Sequence, residues 1–280
     1  MIRLKSFQGA NPVRYLWLAI FTAIVLLPFY WLLKSAVSTP EQLFALPPVH
    51  LPTPTLSNFN ALVEQVPFYR YLLNSLIFAT ATSIVSVVVG FLAAYAFARI
   101  TFPGSEFLLW LLLLSMSLPE IATVIPLYQI LSKLSLLDSL AGLTLVMGSV
   151  LVPFSVWMLI AFIKQVPYEI EEAARIDGAS LPRILWKIVV PVTWPALATM
   201  GIINFVNAWN NLLYPLAFSV TPRSKTLSVA ITEIFVAQTP WGKPWNLVSA
   251  LGVAMVIPVI ILVIFANKAI VQGLTRGAVK

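Results

Sequence analysis

The side chains that make and break bonds are scarce in this chain of 280 residues. It has no cysteine and one histidine, His50, so disulfides, thiolate metal sites and His-cluster zinc sites are excluded. The acids within its apolar stretches are isolated, Glu120 being an example, and do not form the pairs that acid–base or nucleophilic catalysis requires. Gly242-Lys243 is the only Gly-Lys pair, but Ala237 stands where a phosphate-binding loop needs its first glycine and Pro244 follows the lysine. The residues therefore point to recognition and mechanical coupling, with no catalytic residue, metal or cofactor assigned to the chain itself.

Polar character is concentrated in one segment, Pro167 to Pro191. Counted with Lys164 just before it, this segment holds eight of the 27 formal charges. Its residue types spell two short helices around a turn. Pro167 suits a first helical turn, and Glu169, Glu171 and Glu172 are favourable near the positive end of that helix. Gly178 is placed to leave the helix in a left-handed conformation, Ser180 to cap a second helix, Pro182 to sit in its first turn, and Pro191 to stop it. Arg183 and Lys187 share one face, opposite an apolar face of Leu181, Ile184, Leu185 and Ile188. Ala173 and Ala174 leave room for a partner's groove. Two small rigid helices make a lever rather than a catalytic site, whereas a plain linker could be far shorter.

A second polar group interrupts an apolar stretch. Asn204, Asn207 and Asn211 fall at i, i+3 and i+7, one helical face, close to Trp209, Asn210, Tyr214 and Pro215. Polar groups at membrane depth must face protein or water, so this face is expected either to line a solute path or to join helices by hydrogen bonds. Pro119 and Pro126 are expected to kink the helix that carries them, and Glu120 between them lines a cavity or sits at the outer interface.

The elements that hold these groups follow from composition. The chain is 60% hydrophobic and 10% charged, far from the roughly 25% charge of soluble domains. An all-α membrane protein is expected, with six spans at about 15–33, 73–98, 107–131, 140–163, 193–219 and 246–267, each near the ~20 residues that cross a bilayer. Residues 1–14 and 273–280 flank this transmembrane domain of 15–272. Eleven of the 17 Lys and Arg fall on the side of both termini, which the positive-inside rule assigns to the cytoplasm. Arg3 and Lys5 before an apolar run also resemble a signal peptide, with Ala36-Val37-Ser38 as a cleavage pattern, although the run is long for one. No five-residue basic run suggests nucleic acid. The outer stretch 34–72, with Pro40, Pro47, Pro48, Pro52, Pro54 and Pro67, reads as non-helical, either packed or a plain connector. Thr82, Ser86, Gly90, Ala94 and Ala98 put small residues on one face of the second span, for static packing or for a sliding contact.

The charged segment also carries a resemblance. Glu172-Ala173-Ala174, then Gly178, then Ile188-Val189-Val190-Pro191 matches the "EAA loop" of ABC importer permeases, with Val190 where leucine is usual. The extension Arg175-Ile176-Asp177-Gly178-Ala179-Ser180 is similar to the carbohydrate-uptake branch. Asn74-Ser75-Leu76, Ala93-Ala94-Tyr95-Ala96, Ile125-Pro126-Leu127-Tyr128 and the tail Gly273 to Lys280 resemble the smaller, MalG-like permease of maltose-type transporters. Trp209-Asn210-Asn211 resembles a Trp-Asn-Asp pattern there, with asparagine replacing the usual aspartate. The resemblance implies a type I importer permease with Glu171, Glu172, Ala173, Ala174, Asp177, Gly178, Ile188 and Pro191 as the ATPase-coupling loop. It implies a second related permease, two ATPase subunits that hold ATP and Mg, and an extracytoplasmic binding protein. The outer loop between the fifth and sixth spans, about 220–245, is expected to meet that binding protein with Gln238, Thr239, Pro240 and Trp241 at its tip, and the tail is expected to reach toward the ATPase interface. A sugar is the expected solute, with a polar metabolite such as glycerol phosphate as runner-up; a passive channel or membrane enzyme is the reading from another class.

Overall fold

The computed structural model describes residues 12–236 and 239–278, with side chains at 13–236 and 239–265. The chain opens with α1 (Pro12–Val37), α2 (Pro40–Leu43), α3 (Ser57–Gln65) and α4 (Phe68–Arg99). The middle comprises α5 (Ser105–Ser115), α6 (Glu120–Lys133), α7 (Leu140–Ile163), α8 (Tyr168–Ile176) and α9 (Leu181–Ile184). A π-helical turn, Leu185–Val189, leads into α10 (Val190–Asn210), followed by α11 (Leu213–Phe218), α12 (Leu227–Val236) and α13 (Trp245–Ala278). Among the described residues the only β pairing is an isolated bridge between Thr239 and Gly242. The fold is all-α: among the described residues five helices are long and apolar enough to cross a membrane, or six if the bent pair α5–α6 is counted as one span.

The chain forms two compact units. The first contains the residues up to Val66 together with Glu233–Val256. Its organiser is Asn58, 3% exposed, whose Nδ2 donates to the carbonyls of Ala36 and Ser38 at 2.8 Å each and whose Oδ1 accepts from Asn246 Nδ2 at 2.7 Å. Ala36 and Ser38, in the stretch with the cleavage-like pattern, are fully buried here. The proline-rich stretch is not wholly irregular. A reciprocal capping box between Thr39 and Gln42 starts α2, and the nine proline-free residues Ser57–Gln65 form α3.

The second unit, Pro67–Thr232 with the chain from Ile257, is built on α4, α7 and α10. The small-residue stripe of α4 lets α7 approach: a Cβ added to Gly90 would sit 2.6 Å from Ser155 Cβ. Thr82, Ser86 and Ala94 on the same stripe are fully buried, which is close packing without room for a bulkier residue.

Two expected spans are shaped differently. Instead of one kinked helix at 107–131, α5 and α6 form a pair bent by 104°. α5 ends at Ser115, and Pro119, with φ −61° and ψ 127°, precedes α6; the residue before a proline is disfavoured in helical conformation, which keeps Leu118 out of a continuous helix. The fifth span begins earlier and ends earlier than 193–219. Its helical rod runs from Leu181 to Asn210, and Pro191 lies in the first turn of α10 rather than stopping the preceding helix. A proline lacks an N–H and crowds the carbonyl four residues back; the widened turn just before it, closed by Val190 N–H to Leu185 O, accommodates that ring. At the far end Asn211 Oδ1 accepts the Tyr214 N–H at 3.1 Å, redirecting the chain into α11. The short apolar helix α12 occupies part of what read as an outer loop.

Candidate coupling segment and translocation residues

The charged segment forms α8, a turn and the start of the α9–α10 rod. Glu171 faces inward and is fully buried. Its Oε1 accepts from Arg99 Nε at 2.8 Å and its Oε2 from the Tyr95 hydroxyl at 2.8 Å. Arg99 Nη2 continues to the carbonyls of Ile163 and Val166, at 2.9 and 2.7 Å. One guanidinium thus joins α8, the end of α4 and the last turn of α7, where free carbonyls favour a cation. The rim of this joint is aromatic: the Tyr168 ring lies 5.7 Å from the guanidinium carbons of both Arg99 and Arg175.

Glu171 is therefore not on the outer surface with the rest of its motif. Glu172, Ala173, Asp177 and Gly178 are exposed, whereas Ala174 is half-buried and packs with Ala179 against the core. Gly178 has φ +78° with open space around it, so its backbone conformation and not crowding demands glycine. Gly178 N–H bonds to Arg175 O at 3.0 Å and Ala179 N–H to Ala174 O at 2.9 Å, the paired bonds of a Schellman ending. Ser180 occupies the cap position of α9 without a side-chain cap bond. Ile188 is half-buried and Pro191 exposed. The i, i+4 pair Tyr95 and Arg99, one position from the small stripe of α4, was the sequence signal that could have revealed the joint.

The asparagine face divides. Asn204 is fully buried, its Nδ2 donating to Ser86 Oγ at 2.7 Å and Ser155 Oγ at 2.8 Å, so it knots α10 to α4 and α7. Trp209 is 2% exposed and stacks on Phe205. Tyr214 is buried, its hydroxyl 3.1 Å from Thr123 Oγ1. Asn211 caps α11, and its carbonyl accepts from Ser228 Oγ at 2.8 Å. Only Asn207 and Asn210 stay exposed, each Nδ2 back-bonded at 3.0 Å to the carbonyl four residues earlier.

Of the proposed outer tip, Gln238 lies outside the described residues. Thr239 and Gly242 exchange backbone bonds at 2.9 Å around Pro240 and Trp241, and the Trp241 ring stacks on Phe44. A further anchor had no recognisable signature in the sequence. Asp138, at φ +53°, accepts from Val220 N–H, Thr221 N–H, Thr221 Oγ1 and Ser224 Oγ at 2.6–3.0 Å. Burial raises its pKa, but these four donors outweigh that and bring it down to about 2. From α4, Asn74 Nδ2 donates to the carbonyls of Pro222 and Lys225, and Ser75 Oγ accepts from Leu227 N–H.

Residues 86–276 match the family described as "Binding-protein-dependent transport system inner membrane component". The chain belongs to that family. The permease is 33% identical to the sulfoquinovosyl glycerol transport system permease protein SmoH of Agrobacterium fabrum, over 99% of this chain and 96% of that protein. It is 34% identical to the trehalose transport system permease protein SugB of Mycobacterium tuberculosis, over 98% of this chain and all of that one. The crystal structure of a bacterial ABC transporter that imports the acidic polysaccharide alginate shares its fold, with TM-score 0.78 at 22% identity over 94% of this chain and 99% of that one. The resemblance to ABC importer permeases is thus borne out, and the chain is a multi-pass inner-membrane permease rather than an enzyme.

Proposed function

We propose that this permease is one of two related membrane subunits of a sugar importer, taking solute from an extracytoplasmic binding protein and driven by two ATPase subunits that hold the ATP and Mg. Relatives named for trehalose and for sulfoquinovosyl glycerol support a sugar as solute. The distribution of basic residues supports cytoplasmic termini, which puts α8 on the ATPase side. The observation that carries the reading is the division of the EAA segment. Glu171 locks α8 to α4 and α7, while Glu172, Ala173, Asp177 and Gly178 are left exposed for a partner. A docked ATPase that shifts α8 moves the helices joined to it. The tail from Gly273 reaches toward the same partner, and the turn at Thr239–Trp241 meets the binding protein.

ATP binding biases the two access states only through contacts that differ between them. Gly178→Val forces a β-branched residue into a left-handed conformation that costs an ordinary L-residue about 1–2 kcal/mol, distorting the docking surface. Solute-stimulated ATP hydrolysis by the whole complex in proteoliposomes is the test. Loss of stimulation with normal insertion is expected, and unchanged stimulation contradicts the lever.

A further inference from the structure

The break between α5 and α6 opens a cavity of about 580 Å³, entirely within the second unit. Its wall includes Glu120, Thr123, Ser149, Pro153 and Tyr214 among mostly apolar side chains. Depth follows from α7. Ser149 lies nine residues from its start at Leu140 and Pro153 ten from its end at Ile163, each about 14 Å at 1.5 Å per residue. The cavity is therefore near the middle of the span.

Glu120 is exposed there. Among the described residues the one ion pair is Arg99–Glu171, so no cation among them neutralises Glu120. A carboxylate at that depth does not face hydrocarbon, and a broken helix persists in a membrane where it borders protein or a water-filled space. Its place in the first turn of α6 makes the negative charge locally favourable but does not cover it. The Thr123–Tyr214 contact, at 3.1 Å, ties α6 to α11 and fixes the wall on which Glu120 stands.

We infer that this cavity is a hydrated stretch of the solute path and that Glu120 is its charge filter, a specificity-determining residue that admits neutral or cationic polyhydroxyl solutes and opposes anionic ones. The inference rests on the importer reading above and narrows its substrate class. A carboxylate accepts hydroxyl hydrogen bonds from a sugar and repels a sulfonate or phosphate. The apolar remainder of the wall suits the C–H faces of a sugar ring.

The natural absence of cysteine makes a direct test available. S149C and, independently, A122C, both at exposed cavity positions, are built into the assembled transporter. Modification of this chain is timed by mass spectrometry with a cationic methanethiosulfonate (trimethylammonium) and an anionic one (sulfonate). The cationic reagent is expected to be favoured over the anionic by about tenfold, the effect of roughly 1.4 kcal/mol of short-range Coulomb energy, and E120Q is expected to remove that preference. Two outcomes overturn the inference. Both positions refuse both reagents in the assembled complex, which means that the partner permease packs over the cavity, or the preference persists in E120Q. Neither readout involves ATP hydrolysis or solute, so failure here is distinguishable from failure of the importer reading.

Discussion

Two carboxylates tie loops to the helices of the second unit, and they do it by different means. Glu171 is fully buried and answered by a guanidinium and one hydroxyl. Asp138 is answered by two hydroxyls and two backbone N–H groups, with no cation. A buried ion pair is intolerant of losing one member, because the survivor keeps its charge without solvent. Neutral donors around a partly solvated carboxylate can turn to water instead. The first arrangement suits a joint that must transmit force, and the second suits a clasp that need only hold a loop in place.

Removal of one partner sharpens this contrast most. Glu171→Ala is expected to destabilise the second unit by about 3–5 kcal/mol, leaving Arg99 charged and unpaired; thermal denaturation of the purified complex measures it. The double variant Arg99→Ala/Glu171→Ala is expected to lose less than the sum of the two single ones, since no charge is then stranded. Asp138→Ala is expected to cost less, about 1.5–3 kcal/mol, the range for hydrogen bonds to a charged group. If it costs more than Glu171→Ala, the contrast drawn here is wrong.

Acid gives a separate test of the Asp138 clasp. The folded-state pKa of Asp138 is about 2 against an ordinary 3.8. A depressed carboxylate contributes stability that is fully present above its unfolded pKa and is lost as pH falls through the folded one. The loop at 219–226 is therefore expected to loosen between about pH 4 and pH 2, read by limited proteolysis with an acid-active protease. Asp138→Asn is expected to flatten that dependence. The smallest effect is reserved for Tyr95→Phe, which removes one of the bonds to Glu171 and is expected to cost about 1.5 kcal/mol, the low end of the range for a hydrogen bond to a charged group.

The contrast also explains what was legible in the sequence. The EAA segment could be read because each signal was local: Pro167 before a helix, Gly178 at its left-handed end, and the spacing to Pro191. The direction of Glu171 could not, because it depends on Arg99, 72 residues earlier. The Asp138 clasp is equally non-local and has no motif of its own. Hydropathy found six spans, but the bend at Pro119 and the extension of the fifth helix back to Leu181 were misplaced. From sequence alone proline reads as a stop at Pro191, where a widened turn absorbs it, and as a kink near Pro119, where the chain turns by 104°. The asparagine face was sound as periodicity, yet it did not tell a buried knot at Asn204 from exposed side chains at Asn207 and Asn210.

The central claim is that the Glu171–Arg99 joint makes α8 part of the moving helices. Its most direct test is the number of ATP molecules hydrolysed per solute molecule imported, in proteoliposomes holding the whole transporter and the loaded binding protein. In Arg99→Ala/Glu171→Ala the ATPase subunits are expected to remain bound and to hydrolyse ATP, with at least about fivefold more ATP spent per solute, the lower end of typical coupling energies. An unchanged ratio in a correctly assembled double variant contradicts the claim.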